Sequence, residues 1–163
     1  MAAKSQRQHT WLQQLVGEWT YDSECIMEPG QSPTKAKGIE HVRAFGELWI
    51  IMEGTLAMAD GTEMSVNITL GYDPQRDHFV GACACSPMTH LWVYEGSDWD
   101  EKRDTLTMFV QGPSMNPDAG GAMVKYKDVI ELKGRDERIM TSHVLGDDGQ
   151  WRCFSTLTYR RKS

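Results

Sequence analysis

Long apolar runs are missing from this chain. The longest is the five residues 48–52 (LWIIM), where a membrane-spanning helix needs about 20. The first ten residues, MAAKSQRQHT, contain no apolar core of the kind a secretory signal requires. Basic charge is also in short supply: 17 Lys and Arg face 23 Asp and Glu, a net charge of -6. A nucleic-acid partner needs a basic face, so none is expected. There are four cysteines, and no two of them stand at the two-residue spacing usual in zinc sites. In a chain without a secretory signal they read as thiols rather than bridges. There is no Gly-x-Ser-x-Gly elbow, His-Glu-x-x-His pair, P-loop or dinucleotide glycine pattern. The expectation is a cytoplasmic, acidic protein with no recognisable catalytic motif.

What is present is the raw material of one globular domain over residues 1–163, 40% hydrophobic and 25% charged. Six tryptophans and ten methionines stand out. Such large, adaptable side chains either fill a core or line an apolar pocket. Residues 5–16 carry a helical pattern, with Trp11, Leu12, Leu15 and Val16 on one face. Ser5 with Gln8, or Thr10 with Gln13, is suited to a capping box, and Gly17 to the helix end. A one-sided helix must lie against something, here the end of a barrel.

After Gly17 the period falls from 3.6 to 2, and ten short strand patterns follow. They lie near 18–26, 37–45, 48–56, 63–72, 78–85, 89–97, 105–111, 122–132, 138–145 and 151–160. Asp60-Gly61 and Asp148-Gly149 are hairpin signals, and Asp73-Pro74 and Gly112-Pro113 are further breaks. Nothing between the strands is long enough for a parallel crossover. The Cys and Tyr frame of an immunoglobulin sandwich fails because position 81 is Gly. The pattern predicts an all-β, antiparallel up-and-down barrel of about eight to ten strands over 17–161, with the N-terminal helix capping one end. Residues 28–37 and 112–121 read as loops at its mouth.

Alternation assigns a lumen. Trp19, Tyr21, Ser23 and Cys25 share one face of the first strand. Val124, Tyr126, Asp128, Ile130 and Leu132 share the inner face of the eighth. His90, Trp92 and Tyr94 on the sixth, and Ile139, Thr141, His143 and Leu145 on the ninth, are assigned inward as well. Trp19 is expected at the floor, with Trp49, Trp92 and Tyr126 as wall area. His90, Thr141 and His143 would orient a polar group, and Glu53 is a further candidate contact. So many polar groups need partners, and a ligand is one source of them.

Gly17-x-Trp19 on the first strand, with Arg160 or Arg161 in YRRK on the last, resembles the calycin signature of lipocalins and fatty-acid-binding proteins. In that family the Arg packs across the Trp at the closed end of the barrel. More specifically, HTWLQQLVGEW (9–19), VRAFGELWIIMEG (42–54), TLGYDP (69–74), MTHLWVYEG (88–96), LGDDGQW (145–151) and YRRK (159–162) resemble the bacterial domain-of-unknown-function family 1579. The resemblance spans nearly the whole chain. It implies a calycin-like barrel and no particular activity.

The function expected is non-catalytic binding of a small hydrophobic or amphipathic molecule in the barrel. An alternative is a structural protein with a filled core that acts as a homodimer. Cys83, Cys85, Met88 and His90 are four soft donors that would suit a thiophilic metal. His90 or His143 would be the axial residue if the barrel held haem, as some calycin-like barrels do. An enzyme would need an acid–base pair such as Glu53 with His90, although Glu53 equally suits Arg43 at the rim.

Overall fold

The structure is a computed structural model and describes residues 2–26 and 28–163. One helix, α1 (Arg7–Gln13), precedes ten strands. These are β1 (Gly17–Cys25), β2 (Thr34–Phe45), β3 (Trp49–Ala57), β4 (Glu63–Asp73), β5 (His78–Cys85), β6 (Trp92–Asp100), β7 (Thr105–Pro113), β8 (Met123–Leu132), β9 (Glu137–Leu145) and β10 (Trp151–Arg161). Each strand is antiparallel to the next, and β10 returns to pair with β1, so the sheet is a closed barrel. The expected strands are all present, with none displaced by more than three residues at either end. Nine seams are extensive; β5 and β6 pair only through Ala82–Val93 and Cys83–Trp92.

The helix is shorter than the expected 5–16, and neither expected capping box forms. Gln6 is the cap, and its backbone N–H donates to His9 Nδ1 at 3.0 Å. Beyond Gln13 the chain tightens to three-residue turns, Leu15 N to Leu12 O and Val16 N to Gln13 O. Gly17 then takes φ +146, outside the left-handed helical region but still one that other residues avoid, and a Cβ there would strike Arg161 Nη1. The glycine is needed for the close approach of that guanidinium.

Arg161, rather than Arg160, is the arginine of the closed end. Its Cζ lies 4.2 Å from the centre of the Trp19 ring, and Nη1 and Nη2 donate to Val16 O at 2.7 Å and Gln14 O at 2.9 Å. Arg160 points the other way and pairs with Asp22 on the surface. Strand alternation explains the difference: Trp19 faces inward and Arg161 is its direct partner across the β1–β10 ladder. Trp19 is 1% exposed and donates to Leu15 O at 2.8 Å, which ties the barrel floor to the end of the helix. The helix plugs this end. Trp11 packs edge-on to Phe79 and Trp99, and His9 meets Tyr72 O.

The second arginine over Trp19 is Arg138 of β9. It is fully buried, lies 3.7 Å from the Tyr159 ring centre and 4.8 Å from that of Trp19, and pairs with the buried Glu40 of β2. Burial pulls its pKa down to about 10. Two bulges re-aim side chains. One between Tyr94 and Gly96 turns Trp99 toward α1, and one between Cys153 and Ser155 turns Phe154 into the lumen.

Truncating Trp19 to Ala should cost about 3–5 kcal/mol in denaturant unfolding, the usual loss for a buried large aromatic. Arg161→Ala should cost about 1–3 kcal/mol, because it removes charge-assisted bonds to two helix-end carbonyls. Arg160→Ala should stay within about 0.5 kcal/mol, as a surface ion pair would. Equal losses for the two arginines would overturn this assignment of the closed end.

Candidate functional site

The barrel interior divides into two halves. Near α1 it is solid: Leu12, Leu15, Trp19, Ile50, Leu70, Phe79, Leu106 and Ile130 are buried against one another. Toward the opposite end it is hollow. A cavity of about 250 Å³ lies between Tyr21, Glu40 and Tyr159 below and Met88, Trp92 and Met115 above. Met115 comes from the expected mouth loop between β7 and β8, where a short 3-10 turn (Pro117–Ala119) is capped by the Asn116 side chain. The rim includes the end of β5 and the start of β6, where ladder pairing is weakest.

Glycine placement shapes the walls. The indole of Trp92 lies over Gly112, where a Cβ would sit 2.0 Å from its ring. The ring is thereby laid flat on the inner wall, edge-on to Tyr126 at 5.2 Å, and Tyr126 is in turn edge-on to Phe154 at 6.0 Å. Tyr126 is anchored by donating to Pro113 O at 2.8 Å.

The polar part of the cavity centres on Asp128. Its Oδ2 accepts from Tyr94 at 2.8 Å and its Oδ1 from Ser142 at 2.6 Å. Neither partner is a cation. Burial raises the pKa of Asp128, while the Ser142 and Tyr94 hydrogen bonds oppose that rise. Burial also drives Tyr94 well above the ordinary phenol value, with Asp128 adding to it. On β5, Cys83 and Cys85 face the same lumen with sulfurs 3.9 Å apart. Their shared hydrogen bond keeps Cys83 protonated far above the usual thiol range and lowers Cys85. At the bottom, Glu40 is held by Arg138 and accepts from Tyr159 at 3.4 Å. Tyr21, raised to about 12 chiefly by burial, donates to Thr55 O.

Of the expected ligand contacts, Trp92 and Tyr126 line this cavity, and Trp19 lies beneath it in the solid floor. The others are elsewhere. Trp49 lies on the outside, its ring covering Gly71 of the neighbouring strand. Glu53 is also outside and pairs with Arg43 at 3.6 Å, so it does not meet His90. It lines a wider, open groove of about 570 Å³ over β1–β5, together with Glu18, His41 and Asn67. His90 stops at the rim, with Nε2 3.1 Å from Gln111 O and its ring edge-on to Trp92.

Thr141 and His143 are on the outer face of β9, bonded to each other at 3.0 Å. The inward residues of that strand are Arg138, Met140 and Ser142. A buried arginine inverted the expected alternation. Neither His90 nor His143 lines the cavity, so neither presents an axial nitrogen to a haem there. Of the four soft donors, Cys83, Cys85 and Met88 reach it and His90 does not. Among the described residues, no three His, Cys, Asp or Glu side chains converge as a metal site. Alternation places Asp128 inward, but nothing in the sequence marks it as the polar centre. Its partners Tyr94 and Ser142 are 34 and 14 residues away.

A barrel of this layout, with the Gly17–Trp19–Arg161 closure, matches one family model, described as a protein of unknown function (DUF1579), over residues 4–161. The chain belongs to the DUF1579 family. No curated protein matches it. Among solved structures, this DUF1579 barrel is similar to Rv2717c from M. tuberculosis, with a TM-score of 0.65, 13% identity, and coverage of 98% of this chain and 100% of that one. It is also similar to the S-type phycobiliprotein lyase CPES from Guillardia theta, with a TM-score of 0.59, 11% identity, and coverage of 94% and 92%. At such identities the likeness is one of fold. No helix among the described residues is long and apolar enough to cross a membrane.

Asp128 sets a pH dependence. Its folded pKa lies above the unfolded value of about 3.9. Between those two values the folded state binds more protons, so this group makes the protein more stable as pH falls through the window. Melting temperatures of wild type and Asp128→Asn, compared across that range, should show an acid-side gain in wild type that the variant lacks. A constant difference between the two proteins at every pH would contradict the desolvation of the Asp128 carboxyl.

Proposed function

We propose that the protein binds one small, mostly apolar molecule in the hollow half of the barrel, with a polar group of that molecule set against Asp128, Tyr94 and Ser142. The observation that carries this reading is the cavity itself. Protein interiors pack densely and leave few voids larger than a water molecule. Here about 250 Å³ stays open between aromatic and methionine side chains, in a barrel whose other half is filled. That is about eight waters' share of liquid volume, room for a bicyclic aromatic. Barrels of similar strand number are wide enough to hold one small ligand. Rigid rings supply contact area on one wall, and methionines at the rim adapt to shape. The S-type phycobiliprotein lyase shares this barrel fold.

Calorimetric titration with 2-naphthalenemethanol, a neutral bicyclic probe, tests the reading. Wild type should bind it, and Val66→Phe, which extends a cavity-lining side chain into the void, should weaken binding at least tenfold without lowering the melting temperature. Absence of binding to wild type, or equal binding to both proteins, would overturn the assignment of the cavity.

A further inference from the structure

We infer that the molecule held in this cavity carries a cationic nitrogen, such as a protonated amine, directed at Asp128. This rests on the binding reading above and adds the chemical class of the ligand.

Tyr94 and Ser142 both spend their hydroxyl protons on Asp128. Besides Ser142, the hydroxyls that line the cavity are committed as well. Tyr21 donates to Thr55 O, Tyr126 to Pro113 O and Tyr159 to Glu40. An ionised carboxylate has about four lone-pair sites, and each hydroxyl oxygen keeps acceptor capacity after donating. Two of the Asp128 sites are filled. The cluster therefore offers acceptors and no free hydroxyl proton. A ligand carboxylate, phosphate or carbonyl would find no hydroxyl donor there. A ligand N–H would find several acceptors.

Charge points the same way. The cavity is lined by two carboxylates, Glu40 and Asp128. Glu40 is neutralised by Arg138. Asp128 has no cation among its described partners. The groups facing it are Tyr94 from β6, Ser142 from β9, and Cys83 and Cys85 from β5, each neutral or negative when titrated. Met108, opposite it on β7, is apolar. Asp128 is half-buried among neutral groups, and an arriving cation would offset part of its desolvation. The aromatic wall of Trp92, Tyr126 and Phe154 is suited to the same charge, since ring faces attract cations.

The experiment compares three probes of one shape at pH 7.5: 2-naphthylmethylamine, 2-naphthalenemethanol and 2-naphthoate. Wild type should bind the amine about tenfold to a hundredfold more tightly than the alcohol, the range for one charge-assisted bond, and the naphthoate most weakly. Asp128→Asn should weaken the amine far more than the alcohol, bringing the two to within about threefold of each other. Val66→Phe should weaken both, which locates the preference inside the cavity. If wild type binds the alcohol as tightly as the amine, the cation inference fails and the binding reading stands. If no probe binds, the binding reading fails first. An amine preference that survives in Asp128→Asn would also overturn the inference. Should that variant melt below the assay temperature, the wild-type ranking of the three probes decides.

Discussion

The fold depends on how one buried charge is kept. Arg138 has no solvent access, and its guanidinium lies against the rings of Trp19 and Tyr159 with Glu40 as its counter-ion. A buried ion pair adds little net stability, because desolvation offsets its attraction, but separating its members costs about 3–5 kcal/mol. The members come from β9 and β2, and the rings from β1 and β10. A one-residue slip in any of these strands would turn a member to the opposite face. The pair therefore fixes four consecutive strands around the point where the barrel closes. Nε and Nη1 of Arg138 have no hydrogen-bond partner among the described residues, and the aromatic faces are what meet them.

That arrangement divides the interior. Below it, the helix and the large apolar side chains fill the barrel, and Arg161 binds the helix end to the last strand. Above it, Gly54, Val66, Cys83 and Ser142 stand among the aromatic and methionine side chains of the wall, and the cross-section between them stays open. The filled floor and the hollow thus occupy separate ends of one sheet.

The strand pattern was legible in the sequence because turns and alternation are local signals. Gly17-x-Trp19 was legible because the floor of the barrel needs a glycine and an indole at that spacing. Which arginine answers Trp19 follows from ladder register, which the sequence leaves open between Arg160 and Arg161. The inner face of β9 was misread for a related reason. Arg138 resembles a surface residue, and only its long-range partner Glu40 explains its burial, so Thr141 and His143 were placed on the wrong side. Trp49 was misread because an indole on the outer face is protected by Gly71 of the next strand, a pairing that exists only once the strands are aligned.

The two carboxylates that line the cavity differ in how their charge is met, Glu40 buried and Asp128 half-buried. Glu40 is compensated within the protein, at the position where the barrel needs rigidity. Asp128 has hydroxyl partners alone, at the position where the barrel is open. A leucine there would be cheaper to desolvate, and an asparagine would carry no charge while keeping one of the two hydroxyl bonds on its single oxygen. An acid in this place gives up stability on folding, and that cost is reduced only when something positive comes to rest beside it. A desolvated carboxylate without a counter-ion is a mark of sites more than of cores, and in this chain it falls on the wall of the barrel cavity.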